Sequence, residues 1–459
     1  MRAIRVQDIV NATEGALLTD SMDRMVSSVA VDSRKVTEGS LFVALPGERV
    51  DGHDFLKAAM DSGCTAALVS KKPEGVLAEA LQKGMALIRV TDTEKALMAL
   101  AAWYLQQFDI IKVGVTGSVG KTSTKEMVYR ILSQKYKTIR NLGNFNNNIG
   151  LPLTVFNVEE DTEAAVFEMG MDRLGEIHGL AEIVHPDVGI ITTVGISHLE
   201  RLGSRENIRK AKLEIVDFMD AGCTLIVNGD NDMLASAVYE GPYHVMDIGL
   251  SGETLKLSAV TDRGTDGVDF TLSSDEDSWN FHVPLPGAHN AHNAALAIAA
   301  GFCFEITPEE AAAGLETLTE TEKRLRVLEL SGRTVIDDTY NASPESMKAG
   351  IDTLMALPAG KKIAILGDMF ELGEKEQEYH KEVGEYAFQK GVDVVLSVGQ
   401  NARFISEGFK ACGGSAESCH YNTKEDLAKH LNAHLSGSDR ILVKGSRGMA
   451  MEQVVELLK

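Results

Sequence analysis

Short apolar runs alternate with longer stretches of mixed polarity along the whole chain. LFVAL (41–45), TAALVS (65–70), ALIRV (86–90), IIKVGVT (110–116), AAVFEMG (164–170), VGIITTV (188–194) and CTLIVN (223–228) predict strands. TVIDD (334–338), KIAILGD (362–368), VDVVLSVG (392–399) and RILVKG (440–445) continue the series. Many are rich in Val and Ile without strict alternation, the pattern of parallel strands covered on both faces. Between them lie helical stretches such as 93–107 and 122–134. Alternating strands and helices predict α/β domains with parallel sheets.

The chain has 459 residues; at ~100–200 residues per domain, two to four domains are expected. Three blocks suggest themselves: 1–92, 93–319 and 320–459. The segment TDTEKALMALAAWYLQQF (91–108) reads as a capped helix leading into the second block, and the charged run TETEKRLR opens the third. No Pro-rich or Gly/Ser-rich linker marks either border, and there is no internal repeat.

Composition narrows the picture. The chain is 44% hydrophobic and 24% charged, with no bias toward disorder or a fibre. A formal net charge of −22 argues against a nucleic-acid partner, which needs a basic face. It leaves room for small anionic substrates held by a few local cations. No run approaches the ~18 apolar residues of a membrane span, so no membrane insertion is expected. The N-terminus MRAIRVQDIVNATEG has charges where a signal peptide needs an apolar core. Five scattered cysteines without C-x-x-C spacing suggest a reduced, cytoplasmic chain.

The strand 110–116 runs into GSVGKT, and STKEMVYRILSQ follows as a helix. The common phosphate-loop template, G-x-x-x-x-G-K-[ST], asks for glycine at 115, where this chain has valine; its glycines fall at 114, 117 and 120. The context still suits a phosphate. Backbone N–H groups around Gly117, Ser118 and Gly120 can wrap an anion, and the next helix adds the field of its N-terminus. Lys121 would reach the terminal phosphates, and the Thr122 hydroxyl would bind Mg²⁺. The competing reading is a glycine-rich turn with no ligand.

Glu168 closes the strand AAVFEMG, and His198 follows VGIITTV in the loop GISHLE. Both fall at the carboxyl ends of strands, where ligands of open α/β sheets collect. A capping carboxylate and a solvated loop histidine are the plain alternatives. In RENIRKAKLEIVDFM (205–219), Ile208, Ala211, Ile215 and Phe218 form an apolar stripe that contains Lys212, while Lys210 lies opposite. Lys212 therefore needs a partner or a modification, or else snorkels to water. NLGNFNNNIGLP (141–152) places five asparagines in eight residues. Asn290 and Asn293 open an alanine-rich helix; their amides suit the edges of a base, although a helix cap would explain one of them.

Together these motifs resemble the Mur ligase superfamily, ATP-dependent amide-forming enzymes of cell-wall precursor synthesis. Its loop reads T-G-[ST]-x-G-K-[ST], and TGSVGKT (116–122) matches it. The likeness spans the whole chain. It is carried by DSRKVTEGSLFVALPGERVDGHDF (32–55), LGNFNNNIGLPL (142–153), FEMGMDRLGEI (167–177), SHLERLGSRENIRKAKLEI (197–215), DDTYNASPESM (337–347), LGDMFELG (366–373) and VKGSRGMAME (443–452). The chain is most similar to the branch that adds D-alanyl-D-alanine to UDP-N-acetylmuramoyl-tripeptide. The D-N-P-R string expected of the ligase adding the third residue is absent.

The resemblance implies three α/β domains: a small N-terminal UDP-sugar domain, a central P-loop ATPase-like parallel-sheet domain, and a C-terminal Rossmann-like domain on the D-alanyl-D-alanine side. It implies ATP and two Mg²⁺. Lys121 and the loop amides would hold the phosphates, Thr122 and Glu168 one Mg²⁺, and His198 with a carboxylated Lys212 the second. Asn290 and Asn293 would meet the adenine, Arg324 the phosphates and Asp338 the ribose. Ser33 and Arg34 would belong to the UDP-sugar cradle; Asn144, Asn146, Asn147, Asn341 and Ser346 would serve the remaining substrates. Where relatives often read Y-N-A-N-P, this chain has Tyr340-Asn341-Ala342-Ser343-Pro344. A cytoplasmic monomer is expected. The alternatives are another Mur-type amide ligase, such as a folylpolyglutamate-synthase relative, and a nucleotide-binding protein without catalysis.

Overall fold

The structure, a computed structural model, describes residues 1–47, 49–72, 75–319, 323–413 and 416–459. Glu48 of the 32–55 segment and the start of the third block at 320 lie outside the described residues.

Each apolar run read from the sequence contains a strand. Ser28–Ala30, Ser40–Val43, Ala66–Val69 and Ala86–Arg89 pair in parallel, and Ala16–Leu17 closes this five-stranded sheet antiparallel to Ala86–Arg89. A nine-stranded sheet forms the middle of the molecule. Ile111–Thr116 lies between Ala164–Glu168 and Val188–Ile191, parallel to both, with Glu168 beside Val115 and Ile191 beside Thr116. The carboxyl ends of these three strands therefore open at one edge. A six-stranded sheet follows, in which Arg333–Asp338, Arg440–Lys444, Lys362–Gly367, Val394–Val398 and Glu417–Tyr421 run parallel and Arg326–Leu330 adds an antiparallel edge.

The middle sheet is longer than the apolar runs suggest. Leu255–Asp262, Val268–Ser273 and Ser278–Val283 extend it as an antiparallel meander. Val268–Ser273 alternates buried and half-buried residues, as expected of a sheet with one wetter face. A search for continuous apolar runs passes over such strands.

Helix Thr93–Leu105 starts on Asp92, whose carboxylate accepts from the backbone N–H of Glu94 (2.9 Å) and Lys95 (3.1 Å). Leu97, Leu100 and Tyr104 pack into a core shared with Leu41 and Leu68 of the first sheet and Phe167 and Ile177 of the middle unit. The Tyr104 hydroxyl accepts from the N–H of Arg2 and donates to the Val158 carbonyl, both at 2.8 Å. The units join through this continuous core, which is why no linker composition marks the join. The helix after the phosphate loop spans Lys121–Leu132. The one read over 205–219 is shorter, Arg205–Leu213, and its apolar stripe continues through Ile215 in a tighter 3₁₀ turn, Glu214–Val216. Among the described residues, no helix is long and apolar enough to cross a membrane.

Candidate active site

The loop after Ile111–Thr116 is shaped by two glycines. Gly117 has φ +150°, and a Cβ there would stand 1.9 Å from Thr192 Oγ1. Gly120 has φ +91°, and its Cβ would meet Asn293 Oδ1 at 2.6 Å. The loop is also bonded to the end of the neighbouring strand. Ser118 N–H donates to the Thr193 carbonyl (2.8 Å), Val119 N–H to Thr193 Oγ1 (3.0 Å), and Thr192 Oγ1 to the Val119 carbonyl (2.6 Å). Val115 is wholly buried within the strand. The glycine that the common template places at 115 is therefore not needed for this turn.

Lys121 opens the helix and folds back, donating to the carbonyls of Gly117 (2.8 Å) and Ser118 (3.4 Å). Burial pushes its pKa down; Glu168 opposes this and Arg324 adds to it. Thr122 Oγ1 donates to Glu168 Oε2 at 2.8 Å, and Asn146 Nδ2 donates to Glu168 Oε1 at 2.8 Å. Sequence reasoning missed Lys125, which is 1% exposed. Its Nζ lies 3.9 Å from Glu168 Oε2 and donates to the Asn141 carbonyl at 2.8 Å. One turn after Lys121, it reads locally as an ordinary helix lysine; only the fold buries it.

His198 has a left-handed backbone, φ +63°, as does Glu371 of the last unit, φ +64°. Their side chains meet, His198 Nδ1 to Glu371 Oε2 at 2.6 Å, and Asp172 Oδ1 lies 3.3 Å away. Strained residues of this kind persist where the surroundings over-determine them. Burial lowers the His198 pKa and outweighs the opposing pull of both carboxylates. A neutral ring that gives its Nδ1–H to Glu371 keeps the lone pair on Nε2.

Lys212 is 3% exposed, so it does not snorkel. Its side chain makes no hydrogen bond or ion pair among the described residues, and it lines the same cavity as Lys121 and Thr122. Burial, with the Lys121 charge adding to it, drives its pKa well below the ordinary lysine value. Burial without a partner favours the neutral form of such an amine.

A cavity of about 970 Å³ brings these groups together. Gly117, Ser118, Gly120, Lys121, Thr122, Glu168, His198 and Lys212 line it from the middle unit. So do Asn144, Asn146, Asn147, Asn290 and Asn293, while Arg324, Asp338, Asn341 and Ser346 enter from the last unit. Asn147 Oδ1 accepts from the N–H of Gly150 (2.8 Å), the first residue of the helix Gly150–Val155. Asn290 Nδ2 donates to the Pro286 carbonyl (2.8 Å), and Asn293 Nδ2 to Asn290 Oδ1 (3.3 Å). The Arg324 guanidinium stacks 4.0 Å from the Tyr340 ring centroid. Asp338 is paired with Lys444 at 2.5 Å. Ser343, at the departure from Y-N-A-N-P, caps helix Pro344–Ala356 by accepting from Ser346 N–H (3.4 Å). Ser33 and Arg34 are not brought to this cavity: Arg34 is exposed and forked onto Asp32 at 2.7 Å.

Glu345 was not singled out either. It begins the last unit's helix Pro344–Ala356, and its Oε1 accepts from Ile196 N–H of the middle unit at 3.0 Å. Its Oε2 is buried without a partner among the described residues. Such contacts join distant segments and leave no mark on local sequence.

The chain resembles known proteins over its whole length. The sequence models for the Mur ligase family catalytic domain, the Mur ligase middle domain and the Mur ligase glutamate ligase domain match residues 25–104, 115–301 and 323–447. The chain is 40% identical to the UDP-N-acetylmuramoyl-tripeptide–D-alanyl-D-alanine ligase of Bacillus subtilis, over 98% of this chain and 97% of the relative. It is similar to a crystal structure of MurF from Acinetobacter baumannii (TM-score 0.92, 29% identity, 100% and 99% of the two chains). It is also similar to MurF ligase from Thermotoga maritima in complex with ADP (TM-score 0.82, 29% identity, 94% and 97%). With three family models matched in order and a full-length likeness at 40% identity, the chain belongs to the Mur ligase family.

Proposed function

We propose that this chain is an ATP-dependent ligase that joins D-alanyl-D-alanine to UDP-N-acetylmuramoyl-tripeptide, giving the pentapeptide precursor of peptidoglycan. The full-length likeness to ligases of that name supports the reading. The observation that carries it is the single cavity in which the phosphate loop, the asparagine loop and the last unit's Arg324, Asn341 and Ser346 converge. A carboxylate is a poor electrophile and must be activated before an amine can displace oxygen from it. The tripeptide carboxylate attacks the γ-phosphorus of ATP, giving an acyl phosphate and ADP. The dipeptide amine then attacks the acyl carbon, an N–C bond forms, and phosphate leaves.

The protein's part is positioning and charge neutralisation. Lys121 and the loop amides of Gly117 and Gly120 hold the phosphates, and the Ser118 N–H joins them only on leaving the Thr193 carbonyl. Arg324 reaches them from the last unit, and stacking on Tyr340 fixes its plane. Asn290 and Asn293 face the adenine and Asp338 the ribose. Ser33 and Arg34, away from the cavity, belong to the UDP-sugar cradle; Asn144, Asn146 and Asn147 line the peptide path, and Asn341 and Ser346 meet the dipeptide side. The blocks 1–92, 93–319 and 320–459 serve the three substrates in that order: UDP-sugar, ATP and dipeptide.

The oxygen donors Thr122 and Glu168, already 2.8 Å apart, fit a hard cation and would hold one Mg²⁺. A second would lie at His198 and Lys212. The buried, unpartnered amine of Lys212, facing the cavity, fits addition to CO₂, which forms an N–C bond, releases a proton and turns the lysine into an anionic oxygen ligand. Bound Mg²⁺ would neutralise the charge of the phosphates. The protein works as a monomer in the cytoplasm.

Phosphate release is the test, with the UDP-linked tripeptide in its lysine or diaminopimelate form and each substrate omitted in turn. Turnover should require all three substrates. Phosphate release indifferent to D-alanyl-D-alanine would refute the assignment.

A further inference from the structure

The last unit carries a second cluster of ligand-type side chains at the far edge of its sheet. The edge strand is Glu417–Tyr421, which among the described residues pairs on one side only, with Val394–Val398. Successive side chains of a strand point to opposite faces, so Glu417, Cys419 and Tyr421 share one face. Helix Lys424–His434 returns over that face, and its last residue, His434, packs there with 9% exposure. His434 Nδ1 lies 2.6 Å from Glu417 Oε1, and Cys419 Sγ lies 3.9 Å from the same oxygen. One donor atom from each of the three residues falls within 4.8 Å of the others. The second ring nitrogen of His434 is 2.7 Å from the Tyr421 hydroxyl.

We propose that Glu417, Cys419 and His434 form a binding site for one divalent transition-metal ion of the zinc class. Sulfur, imidazole nitrogen and carboxylate oxygen together suit Zn²⁺ and disfavour Mg²⁺ and Ca²⁺, which take oxygen shells. Bonds of ~2.0 Å to nitrogen and oxygen and ~2.3 Å to sulfur set tetrahedral donors roughly 3.3–3.6 Å apart. The Glu417 carboxylate need withdraw from His434 by less than about 1 Å to reach that spacing. It is half-exposed and free to do so. Tyr421 supplies the outer support that metal-bound histidines use, accepting Nε2–H and fixing the ring. Three protein donors leave a fourth position for water. The ion would clamp the unpaired sheet edge to the end of the helix above it, away from the cavity in which ATP is consumed.

Co²⁺ titration of the full-length protein under reducing conditions tests this. Thiolate ligation gives a near-ultraviolet charge-transfer band that the oxygen-rich catalytic site cannot produce. One equivalent should generate the band, Zn²⁺ should bleach it, and Cys419→Ser and His434→Gln should each abolish it. Cys303→Ser and Cys412→Ser, at the exposed thiols elsewhere, should leave it unchanged. Tyr421→Phe should keep the band and weaken binding by at least about tenfold. Zn²⁺ should raise the melting temperature of the parent and not of Cys419→Ser, with phosphate release showing that the variant is folded. No band in the parent, or a band that survives Cys419→Ser, would mean an ordinary His–Glu ion pair and overturn the proposal.

Discussion

Gly117→Ala probes the phosphate loop most directly. The backbone there sits at φ +150°, and the new Cβ would meet Thr192 Oγ1 at 1.9 Å, Thr192 Cβ at 3.1 Å and Thr193 N at 3.1 Å. Holding a non-glycine residue in that region costs about 1–3 kcal/mol. Overpacking a closed site costs about as much again. The loop can escape only by moving, and nucleotide binding then bears the cost. At ~1.4 kcal/mol per tenfold, ADP affinity should fall at least ~20-fold. Thr192→Ala alone loses the 2.6 Å bond to the Val119 carbonyl, worth ~0.5–1.5 kcal/mol. In the double variant the nearest clashing atom is gone, so the two changes should be less than additive by about 1–3 kcal/mol. Calorimetric ADP titration of the four proteins gives the cycle, with melting curves to confirm folding. A double variant that binds no better than Gly117→Ala, or a Gly117→Ala protein that binds like the parent, would show that this contact does not shape the loop.

Glu168→Gln keeps the shape of the group that Thr122 and Asn146 hold but removes its charge; turnover should drop by ~10²–10³ and demand more Mg²⁺, and an unchanged Mg²⁺ dependence would exclude Glu168 as a ligand. Lys212→Ala should be nearly inactive and regain activity with added short carboxylates, and ¹³CO₂ should give a carbamate resonance that the variant lacks; an identical spectrum in both would remove the carbamate. His289 is pushed from an ordinary 6.5 to about 4, first by burial. The unfolded chain therefore takes up its proton before the folded one does, and stability falls as pH drops from about 6.5 to about 4, by at most ~3 kcal/mol. The melting temperature of His289→Gln should fall less over that window, and parallel pH curves would count against the histidine. Glu345→Ala removes the carboxylate that accepts from Ile196 N–H and should open the molecule, seen as a larger radius of gyration in solution scattering; an unchanged radius would show that this contact does not hold the units together.

The sequence by itself determined whatever is local. Val/Ile runs became buried parallel strands because an uninterrupted apolar run has no wet face to offer. Thr116–Thr122 declared a phosphate loop because glycine is the residue whose backbone bends that far without a side chain in the way. The place of Lys212 on a helical stripe was visible, but its burial rather than snorkelling was settled only by the fold. Tertiary structure alone decided what crosses between segments. The alternating strands from 255 to 283 were hidden because half their residues face a wetter side. The closeness of Asn293 to Gly120, the burial of Lys125 against Glu168, and the reach of Glu345 and Glu371 to Ile196 and His198 follow from how helices and sheets stack. Those contacts join residues separated by as many as 173 positions. No pattern within a window of the chain can encode them, since packing and not sequence neighbourhood chooses the partner.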